Sequence, residues 1–251
     1  MAPNTKAQKM LYWMGRMTIE MVARALLDLN LLFHEELPSG PKLFTPNHPT
    51  TLDPFLLPIV SPEQVHILVT ESAFKAPVFG PYLERAGHVR VVTEDGHAAF
   101  DAARQLLEAG ENVAIFPEGA LSPTGSIARP HTGAVRLALL TGAPLIPVGI
   151  ALDPSRIQAL DTGIKDSHGE PEIARLILGG PYFLTLGTPM RVQGDVEDRA
   201  VVGAETQRLM RRIIRLSRMS QYRIEGQDLP KDAVETNAIG AISIPFTIPT
   251  R

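Results

Sequence analysis

His48 and Asp53 stand five residues apart in the stretch Lys42-Leu-Phe-Thr-Pro-Asn-His-Pro-Thr-Thr-Leu-Asp-Pro54. An imidazole can abstract a hydroxyl proton near neutral pH, and a carboxylate beside it can fix the tautomer and stabilise the imidazolium that forms. Lys42 to Pro46 reads as a short buried strand, followed by a turn and a helix start near Thr50 or Thr51. Such a turn fixes the backbone while leaving its side chains at the surface of a cleft. Alone the pair is a weak signal, because seven histidines in a chain of this length produce the spacing by chance often enough. A second stretch, Asn112-Val-Ala-Ile-Phe-Pro-Glu-Gly119, ends another apolar strand in Pro-Glu-Gly. It presents Glu118 at a strand's carboxyl end, the edge where open α/β sheets bind ligands.

The elements that must position these groups alternate along the chain. Strands are expected near 42–46, 65–70, 88–93, 112–116, 144–150, 174–178 and 182–187, and helices near 52–59, 73–85, 96–109, 130–142 and 197–220. Strand alternating with helix predicts an α/β fold, a mostly parallel sheet flanked by helices. Residues 8–33 read as one helix or two. Met10, Met14, Met17 and Met21 fall on one face of a 3.6-residue period, with Trp13, Tyr12, Lys9 and Arg16 nearby. That stripe suits either a helix packed on the core or an interfacial helix facing lipid tails. The late helix carries Arg208, Arg211, Arg212, Arg215 and Arg218 beside an apolar stripe of Leu209, Met210, Ile213 and Leu216. A solvated basic face and an attraction to anionic lipid are both compatible with it. The expected organisation is an N-terminal helical segment (1–35), one domain (36–221) and a tail (222–251) rich in turn residues.

Composition excludes several classes. With 251 residues, 44% hydrophobic and 20% charged, the chain can bury a core and is neither disordered nor wholly membrane-embedded. A net charge of -3 argues against nucleic acid as a partner. The absence of cysteine removes disulfides, thiolate-ligated metals and a cysteine nucleophile. Met10 to Phe33 is interrupted by Arg16, Glu20, Arg24 and Asp28, whereas a membrane span needs about 20 nearly uninterrupted apolar residues. No signal peptide is expected, since Lys6 and Lys9 precede no clean apolar stretch with a cleavage site. His34, His66, His88, His97, His131 and His168 show no metal-ligand spacing, so no metal is expected.

The His-x4-Asp pattern followed by Phe-Pro-Glu-Gly resembles the glycerolipid acyltransferase family, the PlsC-like group that includes lysophosphatidate acyltransferases. The resemblance runs from roughly Phe44 to Val192 and takes in Phe74-Lys-Ala-Pro-Val-Phe-Gly80, Pro144-Leu-Ile-Pro-Val-Gly149 and Gly187-Thr-Pro189 in order. It implies that His48 is the general base and Asp53 its orienting partner, with the acceptor alcohol attacking a thioester directly. It implies further that Glu118 and Gly119 help bind the acceptor, and that Pro144, Ile146 and Pro147 line the acyl chain. The donor would be acyl-CoA or acyl-carrier protein as co-substrate with no cofactor, and the enzyme would sit peripherally on a lipid surface at the cytoplasmic face of the membrane.

Two departures bear on the acceptor. The family's phosphate-holding arginines align with Thr93 and Leu121 here, and Arg90, offset by three in a strand, points to the opposite face. The expected acceptor is therefore a lipid alcohol without a terminal phosphate, a lysophospholipid with a capped phosphate or a glycolipid. The alternative is a lysophosphatidate acyltransferase in which Arg129 takes the phosphate. A catalytically silent lipid-binding relative is a third reading, though the retained His48, Asp53, Glu118 and Gly119 argue against it. An α/β hydrolase would need a G-x-S-x-G elbow that the chain lacks.

Overall fold

The computed structural model describes residues 6–77, 79–92, 95–122, 130–165 and 169–227. Helix α1 spans Lys6–Leu26. At about 100° per residue, Tyr12, Arg16, Ile19 and Ala23 lie opposite the methionine stripe, and this is the face that packs inward. Tyr12 is buried and its hydroxyl accepts the amide of Val65 at 3.0 Å. The Arg16 guanidinium donates to the carbonyls of Pro58 (3.1 Å) and Ile59 (3.2 Å). Met10, Met14, Met17 and Met21 remain 46–67% exposed.

The helix expected through residue 33 ends at Leu26, and β1 (Leu27–Phe33) follows as a strand. The cause is local. Leu27-Asp-Leu-Asn-Leu31 alternates apolar and polar residues with the period of two that a pleated strand requires.

The remaining strands are β2 (Leu43–Pro46), β3 (Val65–Thr70), β4 (Val89–Val91), β5 (Asn112–Ala114), β6 (Leu145–Leu152), β7 (Ile157–Lys165), β8 (Pro171–Ile177) and β9 (Gly180–Leu186). Seven of them form one sheet in the order β1-β9-β6-β2-β5-β3-β4. Its pairings are parallel except between β6 and β9. The mostly parallel α/β architecture expected from the alternation is the one found. Strands β7 and β8 stand apart as a two-stranded antiparallel arm. Of these, β7 is largely exposed and was not expected as a strand.

Neighbouring residues on the central strands serve opposite faces. Phe44, Ala114 and Ile146 are paired in register and belong to one apolar cluster. That face is covered by α1, α2 (Asp53–Leu56) with the short 3-10 turn Leu57–Val60, α3 (Glu71–Phe74) and α4 (Phe79–Arg85). The single helix expected over 73–85 is thus two, with Pro77 in the break. Leu43, Val113 and Leu145 face the other way, against α5 (Gly96–Glu108), α6 (Gly133–Thr141) and α7 (Arg199–Ile224). Full burial of each such side chain is worth about 1.5–3 kcal/mol.

Helix α7 begins at Asp198, whose side chain accepts the amides of Ala200 and Val201. Its stripe of Leu209, Met210, Ile213 and Leu216 is buried, and Arg211, Arg212, Arg215 and Arg218 are exposed. A β-carbon at Gly149 would collide with the backbone of Leu216 and Ser217, so this glycine lets α7 lie directly on β6. The tail expected from residue 222 begins inside α7, and residues 228–251 lie outside the described residues.

Candidate active site

Strand β2 delivers His48 to the carboxyl edge of the sheet. Asn47 anchors the exit, its side chain donating to the Ile150 carbonyl (3.0 Å) and accepting the Ile150 amide (2.7 Å) as a strand partner would. The chain then turns so that Asp53 opens α2, fully buried. His48 Nδ1 lies 2.9 Å from Asp53 Oδ2. The same carboxylate accepts the Thr50 amide (2.8 Å), the Thr50 hydroxyl (2.6 Å) and the Tyr182 hydroxyl (2.5 Å). Four donors on two oxygens fill a carboxylate's accepting capacity. Burial, and after it the Asp53 charge, push the Tyr182 phenol well above its ordinary range, so it stays protonated and donates.

Because an ionised carboxylate only accepts, the His48 proton sits on Nδ1 and the lone pair on Nε2. No described residue hydrogen-bonds Nε2, and the side chain is 16% exposed. The Phe116 ring lies against the imidazole, centroid to centroid 4.1 Å. The pair read from the sequence is thus brought into contact, in the arrangement that a general base and an orienting acid would need.

Glu118 reaches the site as a brace. Its Oε1 accepts the His48 amide (3.1 Å) and the Ser122 hydroxyl (2.6 Å). Ser122 closes the contact from the other side, its amide donating to the His48 carbonyl at 2.7 Å. Gly119 has φ +67, in the left-handed region, and a β-carbon there would come within 2.7 Å of the His131 ring. His131 is held beside it by its amide, which donates to the Pro117 carbonyl (2.7 Å).

The two-stranded arm closes the remaining side. Thr51 and Arg175 exchange two hydrogen bonds: the Thr51 amide donates to the Arg175 carbonyl (2.9 Å), and the Arg175 amide donates to the Thr51 hydroxyl (3.0 Å). The Arg175 guanidinium donates to the Ser122 carbonyl at 2.5 Å.

The residues expected to line the acyl chain lie on β6 or just before it. Pro144 is at the amino end of β6, where its carbonyl accepts the Leu43 amide, roughly 13 Å of strand from the level of Asn47. Ile146 is buried in the core beside Phe44, and Pro147 pairs with Thr45. The portion of β6 level with His48 is Val148 to Ile150. Arg129 and Thr93 lie outside the described residues. Arg90 is committed elsewhere, over the Phe74 ring (4.7 Å) and toward Glu84 (3.7 Å) and Glu71 (4.0 Å). Among the described residues no cluster of His, Asp or Glu could hold a metal ion.

Tyr182, Ser122 and Arg175 were not singled out from the sequence. Tyr182 and Arg175 have sequence separations of 129 and 53 from the groups they touch, and carry no local signal. Ser122 follows Pro-Glu-Gly closely enough that its spacing could have suggested it.

A mostly parallel α/β sheet carries a His–Asp pair at its carboxyl edge. Residues 29–151 match the Acyltransferase family model. A chloroplastic 1-acyl-sn-glycerol-3-phosphate acyltransferase, BAT2 of Brassica napus, is 30% identical over 155 residues, 59% of this chain and 43% of that protein. The 1-acyl-sn-glycerol-3-phosphate acyltransferase of Cocos nucifera is 28% identical over 106 residues, 41% of this chain and 34% of that one. This chain therefore spans less than half the length of either relative. The crystal structure of the 1-acyl-sn-glycerophosphate (LPA) acyltransferase PlsC from Thermotoga maritima shares the fold, with TM-score 0.61 and 17% identity over 89% of this chain and 81% of that one. Together these likenesses support placing the chain in a PlsC-like glycerolipid acyltransferase family.

Proposed function

We propose that this protein is an O-acyltransferase that moves a fatty acyl group from acyl-CoA or acyl-carrier protein to the hydroxyl of a lipid alcohol, a lysophospholipid or glycolipid, in lipid biosynthesis. The observation that carries this reading is the His48–Asp53 pair, with Nδ1 held by a buried carboxylate and Nε2 turned away from it. The acceptor oxygen attacks the thioester carbonyl carbon while His48 Nε2 takes its proton. The tetrahedral intermediate then collapses, the C–S bond breaks, and the imidazolium returns the proton to the departing sulfur. The products are an ester and a free thiol, and His48 is restored. Asp53 holds the tautomer throughout.

The exposed methionine stripe of α1 supports action at a membrane surface, where thioether and methylene groups can enter the headgroup–acyl boundary. No described helix is long and apolar enough to cross a membrane. The arginine face belongs to α7, across the sheet from α1, so the methionines are the better candidate for the lipid contact.

Incubation with labelled acyl-CoA and a panel of lipid alcohols, followed by product analysis, tests the reading. Wild type should acylate at least one acceptor, and His48→Ala should lose about 10²-fold or more of turnover with folding intact. Near-wild-type turnover in folded His48→Ala would refute the mechanism. No acylation by wild type with either donor would favour a silent lipid-binding relative.

A further inference from the structure

We propose that Arg175 holds the phosphate ester of the acyl acceptor, and that the acceptor presents it as a singly charged phosphodiester. The proposal rests on the acyltransferase reading above and names its substrate class. Leu121 occupies the position where the loop after Glu118 was expected to carry an arginine. The next residue, Ser122, is the one whose carbonyl takes the Arg175 guanidinium. A cation absent from position 121 is thus brought to the neighbouring Ser122 from β8, along with the arm's two contacts to Thr51.

The guanidinium is not neutralised. Among the described residues its partner is an uncharged carbonyl, and no carboxylate pairs with it. Arg90, by contrast, has two glutamates and a ring, and Arg16 has Glu20 at 3.2 Å. A half-buried cation with unused donors is a site for an anion, and the planar fork of a guanidinium matches the oxygens of a phosphate.

Position separates the acceptor's phosphate from the donor's. The attacking hydroxyl must lie at His48 Nε2, and the headgroup phosphate of a glycerolipid is only a few bonds from that hydroxyl. The Arg175 guanidinium contacts Ser122, whose amide is hydrogen-bonded to the His48 carbonyl, so two hydrogen bonds link it to the backbone of the base. The phosphates of coenzyme A are a full pantetheine arm away from the thioester carbon. Charge separates the classes of acceptor. A phosphomonoester carries nearly two charges near neutral pH and calls for more than one paired cation, whereas a diester carries one and matches the one guanidinium that, among the described residues, reaches Ser122.

The test uses the full chain as wild type, Arg175→Ala and Arg175→Lys. The acceptors are lysophosphatidylglycerol, lysophosphatidate and monoacylglycerol of one chain length, each assayed with acyl-CoA and with acyl-pantetheine. Wild type should prefer lysophosphatidylglycerol. Arg175→Ala should raise its KM about 10- to 100-fold, with a smaller change in kcat and a far smaller effect on monoacylglycerol, and Arg175→Lys should recover part of the loss. Equal loss on all acceptors would reduce Arg175 to a prop for the arm and overturn the proposal. So would an effect seen with acyl-CoA and missing with acyl-pantetheine, or a wild-type preference for lysophosphatidate. Calorimetric binding of lysophosphatidylglycerol without donor keeps the two readings apart. Weaker binding by Arg175→Ala, with no acylation by wild type, would sustain the anion site and refute the acyltransferase reading. Equal binding by both would overturn the site.

Discussion

Tyr182→Phe should destabilise the protein while leaving most of its turnover. The tyrosine hydroxyl donates at 2.5 Å to Asp53 Oδ1, and Asp53 is fully buried, so water cannot take the vacated place. A hydrogen bond to a charged group contributes about 1.5–3 kcal/mol, and phenylalanine fills the same ring volume without leaving a cavity. For a chain of this size that corresponds to a melting temperature lower by about 3–12 °C. The oxygen facing His48 is Oδ2, and it keeps both His48 Nδ1 and the Thr50 amide when the phenol is removed. The imidazole therefore retains its tautomer, and kcat should fall by less than about tenfold.

Asp53→Asn makes the contrast. An amide in that place can offer its own N–H to Nδ1 and invert the tautomer, which in a comparable triad costs about 10⁴-fold in turnover. The assay pairs thermal melts with acyl-transfer rates measured well below each variant's melting point. If Tyr182→Phe melts with wild type, the short contact contributes nothing to stability and the reasoning fails. If it loses as much turnover as Asp53→Asn, the phenol acts on the reacting atoms and is not merely a support for the acid.

Two further outcomes are expected. Replacing Met10, Met14, Met17 and Met21 by Gln should weaken flotation with phospholipid vesicles about tenfold or more, with the fold intact because these side chains point outward; unchanged flotation would remove α1 from the lipid contact. His88 is pushed down to about 3 by burial, with the neighbouring His66 adding to the effect, so below pH ~6.5 the unfolded chain binds a proton that the folded chain refuses. Its contribution to stability is complete above that pH and declines toward pH 3 by an amount on the order of 4 kcal/mol, and pH-dependent melts should show a shallower acid slope for His88→Gln than for wild type.

What could be read in advance depended on whether the chain or the sheet brings the groups together. His48 and Asp53 are joined by a single turn, so their spacing alone constrains their meeting, and a strand before and an apolar run after place that turn at a sheet edge. The central strands were legible because each is short, apolar and bounded by turn residues. Strand β1 carried its signal too, in the alternation after Leu27, but reading Met10 to Phe33 as helical throughout passes over the change of period at Leu26. Tyr182 was out of reach for a different reason. Its hydroxyl meets Asp53 only because β9 runs antiparallel to β6, which sets Tyr182 beside Leu152 at the carboxyl edge. In a parallel β9 the same residue would start at the amino end, far from the acid. Strand direction is decided by the length and course of the connection, here the β7–β8 arm, and of its two strands only β8 was expected, while β7 is largely exposed. The same arm carries Arg175 to Ser122. The course of that connection therefore hides both the contact of Tyr182 with Asp53 and that of Arg175 with Ser122, and an arginine missing from a motif does not establish that its charge is missing from the site.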